Sequence, residues 1–293
     1  MLHALFVGRK RITVYMDWVK TLNDALDYIE DNLLEDITSL NIAKHVYVSN
    51  AHLQRGFYYM TGLTLGEYIR NRRLTLAGHE LSAKGAKVID AAVKYGFETS
   101  ESFSKAFSRF HGVTPAQAKR RGVNLKSYNR LTAKIIMEGG SVMDYRIEKK
   151  EAFSVIVKAK TFGENGAAEI PAFWDEYLSS GAGASVAPMM GVCGDVNPDN
   201  KEFWYGIGSP AENTAPIPDG FVKWDIPENS WAIFKCVGAM PDAIQTMWKR
   251  IYSEWLPQAN YELIPSYDIE YYTEGDTSSP DYISEIWAPV KEK

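Results

Sequence analysis

Two segments of the chain carry apolar residues on a narrow stripe at helical spacing. In "GFETSESFSKAFSRFHGVTP" (96–115), Phe103, Phe107 and Phe110 recur at intervals of four and three. A helix starting at Thr99 puts them on one face. Thr99 or Ser100 can cap its start with a hydroxyl, Gly112 suits a left-handed stop, and Pro115 follows shortly after. The preceding "VIDAAVKYGFETS" predicts a short helix containing Ala92, then a tight turn at Gly96. A small residue at the crossing and a permissive turn four residues later are what a helix-turn-helix requires. Residues 38–60, "TSLNIAKHVYVSNAHLQRGFYYM", repeat the arrangement with Ala43, the cap Ser49 and the stripe Leu53, Phe57 and Met60. Tyr47 stands where Gly96 stands, so the first turn is the less permissive one. Between the units, "LGEYIRNRRLTLAGHEL" predicts a charged helix of about 17 residues, roughly 25 Å long at 1.5 Å per residue. Such a rod can hold two reading helices near one DNA turn apart, about 34 Å. One chain can then grip successive major grooves as a monomer.

Beyond residue 128 the period changes from helical to alternating. "RLTAKIIMEGGSVMDYRIEKK" suggests a hairpin turning at Gly139-Gly140. Strands are predicted at 153–160, 189–194, 202–208, 221–226, 231–238, 266–273 and 282–290, and helices at 167–180 and 240–257. The order is strands, helix, strands, given twice. The expected architecture is therefore multidomain. An N-terminal extension (1–15) precedes an all-α tandem helix-turn-helix domain (16–121), and a linker (122–128) follows. An α+β domain (129–293) of two pseudo-symmetric strand/helix/strand halves then forms a curved antiparallel sheet with a ligand cleft at its seam.

Charge sharpens this division. Residues 1–128 carry 18 basic against 12 acidic side chains, net +6, and residues 129–293 carry 14 against 25, net −11. A total of −5 hides a basic front half fit for phosphate contact and an acidic rear half that DNA repels. Seven of the eight tryptophans lie in the rear half, and all five histidines precede residue 112. Cys193 and Cys236 have no metal-ligand spacing and read as buried thiols of a reducing compartment, the cytoplasm. No apolar run approaches 18 residues, so no membrane partner is expected. The start "MLHALFVGRKRITVY" puts its apolar piece before its basic cluster, the reverse of a signal peptide, and Met16 is the expected true initiator. His52 and His111 read as structural, and neither metal nor cofactor is expected.

Residues 17–121 resemble the DNA-binding domain of AraC/XylS-type bacterial transcription regulators. The resemblance is carried by "SNAHLQRGF" (49–57), "YIRNRRL" (68–74) and "GFETSESFSKAFSRFHGVTPAQAKR" (96–120). It implies that Ala51, Gln54 and Arg55 of the first reading helix face DNA, and Ser100, Glu101, Ser102 and Lys105 of the second. Asn50 and Arg109, on the same outer faces, complete the candidate DNA-binding set. Arg55 can chelate guanine and Gln54 adenine, while Ala51 reaches at most a thymine methyl. Glu101 either accepts from a cytosine amine or pairs with Lys105 one turn on; a plain amphipathic surface helix is the competing reading of the whole segment.

Residues 143–291 resemble the gyrase-inhibitor-like effector-binding domain of multidrug-sensing regulators, through "MDYRIEKKEAFSVIVKAK" (143–160), "FWYGIG" (203–208) and "EIWAPV" (285–290). This resemblance implies an aromatic-lined cleft where a Glu on the last strand, here Glu285, meets a lipophilic cation. On that strand both faces are largely apolar, which predicts cover on both sides and a desolvated Glu285; a salt-bridged Glu at a sheet edge is the alternative. Trp174 and Tyr177, Trp204 and Tyr205 (on opposite faces of one strand), Trp231 and Tyr271 are the candidate lining residues, each with core packing as its competitor. The implied partners are double-stranded DNA, a small organic effector and, as a further candidate, RNA polymerase. A hydrolase using a buried Glu285, or an architectural DNA-binding protein whose rear half binds another protein, are the alternative functions.

Overall fold

The computed structural model describes residues 18–84, 86–120, 122–134, 142–163, 166–194, 202–211 and 216–293. The expected start at Met16 and the Gly139-Gly140 turn lie outside them.

The front half is helical: α1 (Trp18–Asp31), α2 (Ser39–His45), α3 (Asn50–Thr61), α4 (Leu65–Lys84), α5 (Val88–Lys94), α6 (Ser100–His111) and α7 (Pro115–Ala118). Both predicted caps operate. Ser49 Oγ accepts from the His52 amide at the start of α3, and Thr99 Oγ1 accepts from the Ser102 amide at the start of α6. Gly62 and Gly112 end these helices in the left-handed conformation. The two turns solve one backbone problem with different residues: Gly96 sits at φ 75°, and Tyr47, its counterpart, is held at φ 59°. A rod of 20 residues, α4 reaches about 30 Å. Its partners hold it at both units: Arg72 pairs with Glu30 of α1 at 2.7 Å, and Leu74 O meets His111 Nε2 of α6 at 3.0 Å.

Among the described residues the rear half forms a nine-stranded, fully antiparallel sheet. Its strands are β1 (Tyr145–Lys150), β2 (Phe153–Phe162), β3 (Met190–Gly194), β4 (Phe203–Pro210), β5 (Val222–Ile226), β6 (Asn229–Val237), β7 (Tyr261–Leu263), β8 (Asp268–Tyr272) and β9 (Ile283–Glu292). Helix α8 (Gly166–Ser179) falls between β2 and β3. Helix α9 (Asp242–Arg250), continued by a π-helical turn (Ile251–Trp255), falls between β6 and β7. The strand order β1-β6-β9-β8-β3-β4-β2-β5, with β7 beside β9, is symmetric about the β8–β3 pair. Each strand/helix/strand half sends its first strand to the outer edge of the other, so β1 closes the second half and β5 the first.

Two expectations need correcting. Residues 129–134 form no strand. They run as coil over the front helices, where Asn23 both donates to Ala133 O at 3.0 Å and accepts from its amide at 2.9 Å. Strand β1 pairs with β6 instead. Cover on both sides of β9 is also not found. Helices α8 and α9 pack on one face, Ala232, Phe234, Ile286 and Ala288 meeting Ile244 and Trp248 of α9. The opposite face carries Val155, Val192, Ile233 and Ile269 under a layer of half-buried aromatic rings.

The halves share a core. Trp18, Leu22, Leu53 and Phe57 of the front continue without a break into Ile244, Trp248, Ile251 and Tyr252 of the rear. The rings of Trp18 and Tyr252 lie 4.7 Å apart, and Tyr59 stacks on Trp248 at 6.0 Å. The Trp18 ring at the start of α1 lies directly on α3 because Gly56 has no side chain: a Cβ there would fall 2.2 Å from that ring. The second bihelical unit keeps its own core of Leu74, Ala77, Ala92, Phe103 and Phe107.

Candidate functional site

The two reading helices are presented differently. On α6 the apolar stripe does what its spacing predicts: Phe103 and Phe107 are fully buried, and Ser100, Glu101, Ser102, Lys105 and Arg109 are exposed along the opposite face. Glu101 and Lys105 pair at 2.9 Å, the intrahelical alternative of the two open for Glu101. That pair is exposed and weak, and Lys105 can exchange it for phosphate or a base edge at little cost.

On α3 the residues expected to face DNA lie against the rear domain. Asn50, Ala51, Gln54 and Arg55 are all buried. Ala51 packs among Phe162, Phe173, Tyr205 and Ile207, where a larger side chain would meet the α8 core. Gln54 donates to Asn50 Oδ1 at 3.2 Å. Arg55, 2% exposed, donates from Nη1 to Asp268 Oδ2 at 2.8 Å and from Nη2 to Glu270 Oε1 at 3.1 Å, and its guanidinium lies 4.7 Å from the Trp248 ring centroid. Burial opposes the guanidinium charge, but Asp268, with Glu270 contributing, more than offsets it, so the pKa of Arg55 rises well above the usual value. In this arrangement the outer face of α3 meets no DNA. The sequence expectation treated it as a free outer face because its acidic partners lie more than 200 residues away.

Glu270 is the most heavily bonded carboxylate of this junction. Oε1 accepts from Arg55 and from Trp248 Nε1 at 2.9 Å; Oε2 accepts from Tyr205 at 2.8 Å and Tyr272 at 3.1 Å. Four donors converge on its two oxygens, so the carboxylate acts wholly as an acceptor. Burial foremost, and then the Glu270 charge, drive the Tyr205 and Tyr272 phenols well above their usual pKa. Trp174 donates to Tyr205 Oη at 3.0 Å and extends the chain.

The candidate effector residues divide between the two faces of the sheet. Trp174, Tyr177 and Tyr205 lie on the helix side, with Tyr177 and Tyr205 wholly buried; Tyr177 donates to Val186 O. Glu285, Trp204, Trp231 and Tyr271 lie on the open side. There Tyr271 stacks on Trp287 at 5.5 Å, Trp231 meets Trp287 edge-on at 6.2 Å, and Trp204 meets Trp224 edge-on at 6.5 Å. Glu285, its side chain 19% exposed, accepts from Trp287 Nε1 at 2.7 Å and from both terminal nitrogens of Arg146 at 2.9 and 3.3 Å. The hydrogen bond to Glu285 raises the pKa of Arg146. Lys150 Nζ sits 4.6 Å from the Trp287 ring centroid. The Trp231 indole N–H is buried with no hydrogen-bond acceptor among the described residues. Glu285 is thus salt-bridged, as in the alternative the sequence left, but on an interior strand between β6 and β8 rather than at a sheet edge, and it is also the acid of an aromatic surface. Trp224 and Trp287 were missed as candidates, although each shares the alternation parity of a strand residue on this face.

Residues 42–121 match a family model described as a helix-turn-helix domain, and residues 146–290 one described as an integron-associated effector binding protein. The transcriptional activator AarP of Providencia stuartii is 40% identical over 95 residues, covering 32% of this chain and 70% of AarP. The chain belongs to the AraC-type family of transcription regulators. The transcriptional regulator Rob of Salmonella typhimurium is 24% identical to this AraC-type chain over 283 residues, covering 91% of this chain and 95% of Rob. Among solved structures, SAV2435 bound to tetraphenylphosphonium matches 51% of this chain and 94% of its own, at 23% identity and a TM-score of 0.46. No helix among the described residues is long and apolar enough to cross a membrane.

Proposed function

We propose that this AraC-type regulator reads DNA through the outer face of α6 and, once α3 is released from the rear domain, through that of α3 as well, and that it responds to a lipophilic organic cation bound on the open face of the sheet around Glu285. The single observation that carries the effector reading is that two cations of the chain itself already occupy the two subsites such a ligand needs. Arg146 is paired with Glu285, and Lys150 lies over the Trp287 ring. Charge pairing at a partly desolvated carboxylate and cation–π contact at about 0.5–2 kcal/mol per ring are the forces that select a ligand both apolar and positively charged. An uncharged aromatic compound gains neither and is left with ring stacking alone.

The test is a titration of the full chain with tetraphenylphosphonium, a permanent cation shielded by four phenyl rings, followed by tryptophan emission. Glu285→Gln is expected to weaken binding about tenfold or more, each decade being 1.4 kcal/mol. Arg146→Met removes the internal competitor and is expected to tighten it. Unaltered affinity in both variants overturns the assignment. For the DNA half, Lys105→Ala is expected to cost about 1–3 kcal/mol on a selected site, and an equal loss on random DNA would reduce Lys105 to a phosphate contact.

A further inference from the structure

Residues 125–133 run along one stripe of α4. Tyr68, Arg72, Thr75 and Gly78 recur at intervals of four, three and three, so they share a face of that helix over about 15 Å. Three of them bond the passing backbone. The Tyr128 amide donates to Thr75 Oγ1 at 2.9 Å, the Tyr128 carbonyl accepts from Arg72 Nη1 at 2.6 Å, and the Leu131 amide donates to Tyr68 Oη at 3.3 Å. Gly78 contributes by having no side chain: a Cβ there would fall 2.8 Å from the His111 ring and 3.4 Å from Leu125. At one end of the segment the Lys126 amide donates to Nδ1 of His111, the last residue of α6. At the other end Asn23 of α1 holds both backbone groups of Ala133, and Arg130 pairs with Asp27 of α1.

The segment therefore starts on one bihelical unit and ends on the other. Leu125 packs on the core of the second unit with Phe103 and Phe107, whereas Tyr128, Leu131 and Ala133 pack on the core of the first. Tyr68 and Arg72 also bond Glu30 of α1, so segment, rod and first unit meet around one carboxylate. Two bodies mounted on a single helix can roll about its axis, and a second line of attachment alongside that helix stops the roll. We infer that residues 125–133 are a strap belonging to the DNA reader, and that Asn23, Tyr68, Arg72 and Thr75 are positioning residues that fix the angle and separation of α3 and α6. This role rests on the two-groove reading of DNA proposed above. One base pair added between the two contacted grooves displaces the second by about 3.4 Å and about a tenth of a turn. A strapped reader meets that displacement only by straining, and an unstrapped one rolls to follow it. The strap thus sets how strictly the spacing of the two half-sites is read.

The experiment takes the full chain, a site selected from random DNA, and the same site lengthened by one base pair between the two protected grooves. Footprints and anisotropy titrations are compared for wild type, for Thr75→Val combined with Asn23→Ala, and for Thr75→Ser. Wild type is expected to lose about a hundredfold in affinity on the lengthened site, and the double variant about tenfold or less. Thr75→Ser keeps the acceptor for the Tyr128 amide and is expected to match wild type. Should the double variant fail to fold by circular dichroism, Thr75→Val alone carries the test, with a smaller fall in the spacing penalty expected. A two-groove footprint with the same penalty in every chain overturns the strap and leaves the two-groove reading intact. An equal loss on both sites in the double variant, with their ratio unchanged, also overturns it, because these residues then serve stability alone. A wild-type footprint confined to one groove overturns the strap and the two-groove reading together.

Discussion

Asp268→Asn combined with Glu270→Gln is expected to free the first reading helix and tighten DNA binding. Neither residue lies in the front half, and both substitutions keep side-chain shape. In the docked arrangement Arg55 is 2% exposed and pairs with these two carboxylates at 2.8 and 3.1 Å. Removing them leaves a buried guanidinium without a counter-charge, which costs about 3–5 kcal/mol. The Trp248 ring under Arg55 returns at most about 2 kcal/mol and is present in both forms. At 1.4 kcal/mol per decade, about 3 kcal/mol moves the docked-to-released ratio by roughly a hundredfold. The apparent dissociation constant equals the intrinsic one divided by the competent fraction, so the gain in DNA affinity is capped by how rarely α3 is free in the wild type. The assay is fluorescence anisotropy on a site selected from random DNA, at one fixed salt concentration, with footprinting. The expected result is ten- to a hundredfold tighter binding, a steeper salt dependence as α3 adds phosphate contacts, and protection extending over a second groove. Neutralising two acids also reduces general repulsion from DNA, so Asp175→Asn with Glu274→Gln serves as the control of equal charge. An unchanged footprint, or an equal gain in that control, refutes the reasoning.

Two further outcomes concern stability. Tyr47, 88% exposed and at φ 59°, contributes its side chain to little packing, and Tyr47→Gly relieves a left-handed penalty of about 1–2 kcal/mol, offset in part by the added freedom of the unfolded chain; a rise in Tm is expected and a fall contradicts it. His111 accepts from the Lys126 amide at Nδ1 and so donates from Nε2 to Leu74 O, a neutral tautomer whose pKa burial lowers despite that carbonyl. A lowered folded-state pKa means the unfolded chain binds the proton first. Stability should therefore fall as pH drops below about 6.5, and urea midpoints between pH 7 and 5 should lose part of that slope in His111→Gln.

The pattern of the chain disclosed α6 completely, because its exposed face depends on nothing beyond the helix and its apolar stripe. Its seven strand windows beyond residue 150 also coincide with observed strands, since alternation is a local property. What alternation cannot disclose is which face of a strand a distant helix will cover. Residues 267–272, "YDIEYY", place Asp268, Glu270 and Tyr272 on one side of β8, and two acids at that spacing inside an apolar sheet were a legible signal of a buried cation. The cation is Arg55, in another domain, and a residue with the chemistry of guanine recognition has the same chemistry for a pair of carboxylates. Glu285 was legible as an acid among aromatics, whereas its engagement by Arg146 required knowing that β1 crosses to the far half of the sheet.

The exchange of β1 and β5 between the halves makes the rear domain resemble two subunits that traded arms and were then tied together. Neither portion, expressed alone, would possess its own border strand, and each would present a naked row of amides and carbonyls to whatever it met. Fragments cut between β4 and β5 are bound to stick to one another or to aggregate, so dissecting ligand recognition by truncation will report on insolubility rather than on chemistry.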